Sequence, residues 1–332
     1  MAKIKKKKTA TVPKIAPRRV PARAARFYWI LGAGMAVVLA VVFIWKYWLP
    51  SSLPQFNGGN AFALLQKQCD FGPRVPGTAA HDSCRNFLVK ELRRHADEVL
   101  EQSFEHQFER YPKPVNLTNI IAGFQLNATR RILLCAHWDS RPWADQEADS
   151  SKHKLPVPGA NDGASGVAVL LEIARLLKAT PPPVGVDLVL FDGEDSGITG
   201  EQRTYAAGAQ HFARTQGNKY RPLFAILLDM VGDRDLQIHQ EKNSVRYARG
   251  VVDRVWRLAH TQKVAEFIPT VRHEVFDDHY PLIEAGIPAI DVIDFDYPHW
   301  HTLNDTPDKC SPASLEKVGK VVLAAIYDRE KW

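Results

Sequence analysis

Acids and histidines recur at the ends of apolar runs along this chain: His137 with Asp139, Asp162, the adjacent Glu194 and Asp195, Asp229, and His301. Brought together, such side chains make a divalent-metal site. Catalytic zinc takes histidine and carboxylate ligands and keeps one position open. There it polarises a carbonyl or activates water. The densest stretch is Leu188-Val189-Leu190-Phe191 running into Asp192-Gly193-Glu194-Asp195. Neighbouring side chains leave the backbone in different directions, so one of Glu194 and Asp195 can face a metal while the other faces a substrate. Singly, each residue has a plainer reading. An acidic turn after a strand is usually solvated, an Asp opening a helix, as at Asp162 or Asp278, is usually an N-cap, and a lone histidine is usually a satisfied polar group. Recurrence at successive strand ends favours chemistry over capping. The chain has no phosphate-cradling glycine loop and no serine nucleophile elbow, which sets aside kinases and serine hydrolases.

The elements that must position these residues alternate. Apolar runs predict strands over Asn119–Phe124, Arg131–Ala136, Asp187–Phe191, Leu223–Leu228 and Ala289–Ile293. Amphipathic spacing predicts helices from Asn60 to Gln68, His81 to Val99, Val167 to Lys178, Tyr205 to Thr215, Val251 to His260 and Ser314 to Tyr327, with a short one opening at Asp277 and ending at Gly286. Strands alternating with helices imply an α/β sandwich around a largely parallel sheet. Ligands of such sheets bind outside the carboxyl ends of the strands, which is where the acids and histidines fall. Residues 141–158 form a long polar stretch, of the kind that is functional or disordered. The small residues from Gly159 to Gly166 allow close approach of backbone to a ligand.

Composition is that of a globular protein, with 332 residues, 45% hydrophobic and 24% charged. The net charge of +6 is unevenly spread. Residues 1–26 hold ten Lys and Arg and no acid, so the remainder is net acidic and nucleic-acid binding is not indicated. An uncharged run follows from Phe27 to Trp45, flanked by Tyr28, Trp29, Tyr47 and Trp48. It is long enough to span a bilayer, with aromatic belts and a positive inside. The expected organisation is a basic cytoplasmic tail over 1–26, a transmembrane signal anchor over 27–49, a Pro/Gly/Ser-rich linker over 50–59, and an extracytoplasmic catalytic domain over 60–332. Exported domains form disulfides, and Cys69 and Cys84, flanking a turn-rich segment, are the expected pair. Cys135 is expected as a buried thiol.

The ordered set His137-x-Asp139, Gly159 to Gly166 around Asp162, Asp192-Gly193-Glu194-Asp195, Leu227-Leu228-Asp229 and Trp300-His301-Thr302 resembles the zinc aminopeptidase family. Pro73-Arg74-Val75-Pro76-Gly77, His137-Trp138-Asp139-Ser140 and Asp277-Asp278-His279-Tyr280-Pro281 are closer to the glutaminyl cyclases within it. The resemblance covers roughly residues 60–330. It implies a three-layer α/β/α sandwich with a mixed, mostly parallel sheet, and conversion of N-terminal glutamine of peptides to pyroglutamate. By the same resemblance the zinc ligands are Asp162, Asp195 and His301, with Glu194 as general acid/base. Asp229 and Asp277 are a hydrogen-bonded carboxylate pair behind them. Trp300, Asp278 and Trp143 are the expected substrate contacts, Trp143 standing in for a tryptophan that relatives carry soon after the acidic pair. Relatives often have Glu where this chain has Asp195. One zinc ion is expected. His137 is the possible second-metal ligand of the alternative reading, a di-zinc aminopeptidase. A catalytically silent ectodomain on the same fold is a further alternative.

Overall fold

The computed structural model describes residues 34–35, 37–39, 53–216 and 219–328. The basic tail and most of the predicted membrane span lie outside the described residues; 34–35 and 37–39 are helical. Among the described residues no helix is long and apolar enough to cross a membrane. Residues 53–332 form one compact unit by themselves.

Six strands make its sheet: β1 (Glu98–His106), β2 (Val115–Phe124), β3 (Arg131–His137), β4 (Gly185–Phe191), β5 (Ala225–Asp229) and β8 (Ala289–Ile293), in the order β1-β2-β4-β3-β5-β8. β1, β2 and β4 pair antiparallel, whereas β4, β3, β5 and β8 run parallel. The parallel strands bury both faces, as their unbroken apolar sequence requires. Leu134, Leu188, Leu190, Ile226 and Ile290 face one core, and Leu133, Cys135, Val189, Leu227 and Ala289 face another. A separate parallel pair, β6 (Ile238–Glu241) and β7 (Phe267–Arg272), lies beyond the main sheet's order.

Helices cover both faces. On one side lie α1 (Gly58–Cys69), α3 (Ala164–Ala179), α5 (Lys242–Thr261) and α7 (Pro312–Tyr327); on the other lie α4 (Ala207–Gln216) and α6 (His279–Glu284). α3 is apolar nearly all round and buried nearly all round, as its sequence predicts. Gly166 makes its contact with the sheet possible, since a Cβ there would stand 2.1 Å from the Leu228 carbonyl oxygen.

Three expectations change. The helix predicted from His81 to Val99 is α2 (Ala79–Arg93); the rest of the predicted span is a turn and the first two residues of edge strand β1, which pairs antiparallel with β2. The β6–β7 pair was not expected, because β7 is mostly exposed and carries little apolar signal. All four cysteines are free thiols, so the Cys69–Cys84 bridge is not formed. Burial instead pushes the Cys84 thiol up to about 12.

Candidate active site

The carboxyl ends of the parallel strands converge on a cavity of about 210 Å3. β3 delivers His137, the turn before α3 delivers Asp162, β4 leads into Glu194 and Asp195, β5 ends at Asp229, and the loop after β8 brings His301. Asp162, Glu194, Asp195, Asp229, Asp277, Trp300 and His301 all line the cavity. Buried polar contacts fix the turns. Asp139 is fully buried and accepts hydrogen bonds from the backbone N–H groups of Glu194 (3.0 Å) and Asp195 (3.1 Å). Asp305 does the same for Asn161 (2.8 Å) and Asp162 (3.1 Å). Gly163 permits the tight turn after Asp162 with φ +95°; a Cβ there would meet the Asp139 carbonyl oxygen at 2.7 Å. His301 itself lies in the left-handed region at φ 55°, a conformation that costs energy in a non-glycine residue and persists where surroundings impose it.

Asp162, Asp195 and His301 each place one donor atom within 4.8 Å of the others. His301 Nε2 is 3.2 Å from Asp195 Oδ1 and 3.7 Å from Asp162 Oδ2. Asp195 Oδ2 is buried with no hydrogen-bond donor, which leaves an oxygen free for a cation. One imidazole and two carboxylates suit zinc with an open position, so the residues fit that ion. A second trio, His137, Asp162 and Asp229, has equally close donors.

Behind the first trio stands Arg141, which sequence reasoning missed. Fully buried, it donates to both oxygens of Asp145 (2.8 and 2.7 Å). It also reaches Asp195 Oδ1 (3.1 Å), the Asp195 carbonyl oxygen (2.9 Å) and Thr199 Oγ1 (3.1 Å). Asp145 Oδ1 in turn lies 3.5 Å from His301 Nδ1. One guanidinium therefore ties two of the three candidate ligands. The only signal in the sequence was the long polar stretch that contains Arg141 and Asp145.

Electrostatics divides the acids. Burial and then Asp277 push the Glu194 carboxyl well above the ordinary glutamate range. Burial and then Asp229 do the same for Asp277. Burial works against an ionised Asp195, but His301 and Arg141 outweigh it and hold this carboxyl low. The adjacent pair is thus shifted in opposite directions, Glu194 up and Asp195 down.

Among the expected substrate contacts, Trp300 lines the cavity and stacks on His301 with ring centroids 3.7 Å apart. Two other expected contacts, Trp143 and Asp278, are not among the residues lining the cavity. The Trp143 ring packs against Arg110, Arg141 and Tyr111, and Tyr205 and Phe295 form cavity walls. Asp278 is fully buried.

The chain belongs to peptidase family M28, whose profile matches residues 119–326. It is similar to the glutaminyl-peptide cyclotransferase of Drosophila melanogaster, at 27% identity over 75% of each chain. Among solved structures it is similar to the glutaminyl cyclase of Bacteroides thetaiotaomicron bound to N-acetylhistamine, at 35% identity and TM-score 0.81, covering 84% of this chain and 100% of that one. A Zn-dependent exopeptidase from Parabacteroides distasonis is similar at 36% identity and TM-score 0.80, with the same two coverages.

Proposed function

We infer that the protein is a zinc-dependent glutaminyl-peptide cyclotransferase, which closes the N-terminal glutamine of a peptide into pyroglutamate and releases ammonia. The observation that carries this reading is Glu194. It is a buried carboxyl in the cavity wall whose affinity for a proton is raised by burial and then by Asp277, next in sequence to Asp195, whose carboxyl is held low. The likeness to cyclases along the whole domain supports it.

Asp162, Asp195 and His301 would hold one zinc ion. Bound there, zinc supplies polarisation of the γ-carbonyl and stabilises charge on its oxygen. Glu194 takes a proton from the α-amine as that nitrogen attacks the γ-carbon. When the bond to the carboxamide nitrogen breaks, the same carboxyl returns the proton to the departing ammonia. Burial, and then Asp277 in the same cavity lining, keep its proton affinity high. Trp300, Phe295 and Tyr205 wall the cavity and exclude water, which would otherwise hydrolyse the amide.

The second trio favours one other reading, a di-zinc aminopeptidase. Incubation with a glutamine-initiated peptide and mass spectrometry separates the two. Loss of ammonia with one bound zinc supports the cyclase; loss of the first residue with two bound ions overturns it. The basic tail and uncharged run support a single membrane anchor with the catalytic domain on the extracytoplasmic side. A fragment over 51–332 that stayed on membranes through a high-salt wash would contradict that topology.

A further inference from the structure

We propose that Asp277, His279 and Asp291 hold a divalent metal ion of their own, separate from the ion at Asp162, Asp195 and His301. Asp277 precedes α6, His279 opens it, and Asp291 is the middle residue of β8. All three are buried, His279 and Asp291 fully. Each offers a donor atom within 4.8 Å of the other two.

Buried acids alone do not make a metal site, but here every member has an atom to spare. Asp277 Oδ1 accepts from the Asp278 backbone N–H at 2.6 Å, and Oδ2 has no partner. Asp291 has no partner on either oxygen, and His279 has none on Nδ1. His279 Nδ1 stands 3.8 Å from Asp291 Oδ2. That gap is too wide for a hydrogen bond. It suits two ligands of one ion, which stand roughly 3–4 Å apart when each is about 2.0–2.2 Å from the metal.

The groups around the trio favour a cation. Burial pushes the Asp277, Asp278 and Asp291 carboxyls up, and the neighbours acting most strongly on Asp291 are themselves carboxyls, those of Asp277, Asp229, Glu241 and Asp278. Such a cluster needs positive charge to neutralise it. Glu241 Oε2 faces His279 Nε2 at 3.3 Å. A histidine that binds metal through one nitrogen usually gives its other N–H to a carboxylate, and Asp145 stands to His301 in the same way. One imidazole with two carboxylates suits zinc better than calcium, which takes oxygen ligands. Asp277 lines the reaction cavity, which gives an ion a way in. Bound there, the ion ties β8 to the segment that carries Asp277. Burial, the larger cause of the raised proton affinity of Glu194, is untouched by it.

The test starts from Asp162→Ala, because both other trios contain Asp162. The full chain and this variant are loaded with zinc alone, freed of loose metal by gel filtration, and their zinc is counted by elemental analysis. The parent should hold at least one equivalent more than Asp162→Ala, and Asp162→Ala should still hold one. Asp162→Ala/Asp291→Asn should hold none. Zinc-edge anomalous diffraction from Asp162→Ala gives a check that needs no second substitution, with a peak expected between Asp277, His279 and Asp291. No zinc in Asp162→Ala, zinc kept by the double variant, or a peak elsewhere would overturn the site. Any of these results leaves the cyclase reading standing, because the ions that separate it from the aminopeptidase reading are those lost with Asp162.

Discussion

Two trios of buried metal-capable side chains share Asp162, and their donor spacing is alike: His137, Asp162 and Asp229 on one side, Asp162, Asp195 and His301 on the other. Their surroundings differ. His137 Nε2 sits 3.1 Å from Asp162 Oδ1 and 3.2 Å from Asp229 Oδ1, and Nδ1 sits 3.4 Å from Asp139 Oδ1. His137 does not line the cavity, whereas His301 does. The His301 trio also has Arg141 and Asp145 behind it. A buried carboxylate without a compensating charge is costly, and Arg141 supplies that charge on one side only. Donor spacing alone therefore does not define a metal site; access and the groups behind the donors do.

The sharpest way to break this comparison is to separate proton transfer from metal binding inside the Glu194–Asp195 pair. Glu194→Gln should keep its zinc and lose turnover by roughly 10²–10⁴-fold, the usual size of a general acid–base contribution. Asp195→Asn should instead lose zinc, because an amide is a poorer ligand. Metal analysis and single-turnover rates on both variants decide; zinc lost from the first and kept by the second would exchange the roles.

The groups behind the donors come next. Asp145→Asn should weaken zinc by about 10- to 100-fold, as loss of a carboxylate that orients a ligating histidine does. His137→Asn, which removes a donor of the second trio and a neighbour of the shared Asp162, should weaken the first equivalent of zinc less than Asp145→Asn does. Chelator competition measures both, and an equal loss in the two variants would erase the distinction between the trios.

A smaller effect is expected where both trios share a support. Gly166→Ala forces α3 off the Leu228 carbonyl and should cost about 1–3 kcal/mol of stability, the range for overpacking. Because α3 follows Asp162, zinc affinity should fall with it; denaturant midpoints and zinc titration on the same samples would expose a change in stability alone.

The smallest effect tests a site away from both trios. Glu241 caps α5, accepting from the backbone N–H groups of Asn243 (2.8 Å) and Ser244 (2.6 Å), with His279 Nε2 at 3.3 Å. Burial opposes its ionisation, but His279 and these N–H groups hold the carboxyl down to about 2. A depressed carboxyl stabilises the fold fully above its unfolded value near 4.5 and loses that contribution as pH falls through about 2. Glu241→Gln should cost roughly 1–2 kcal/mol at pH 7, the range for a lost cap. Equilibrium unfolding should show that deficit shrinking between pH 4.5 and the folded value; a deficit constant with pH would remove the charge from the explanation.

The sequence by itself determined the strand ends. The parallel strands are continuous apolar runs, and a run that must be buried on both faces puts its first polar residue at the sheet's edge. His137, Glu194, Asp195 and Asp229 were legible for that reason, and Gly163 and Gly166 marked a turn that had to approach backbone closely. Tertiary structure alone decided what stands behind them. Arg141 and Asp145 lie in a polar stretch without periodicity, and nothing local says that Arg141 reaches Asp195, 54 residues away. Trp143 was expected at the wall only through the resemblance, and which side chains pack on its ring, Arg110 and Arg141, was not legible locally. Pairing of the mostly exposed β7 with β6 was equally silent, since β7 depends on a partner and not on burial. Local pattern records which residues must leave the core; which charge compensates which, across the ends of different strands, is settled only when the chain is closed.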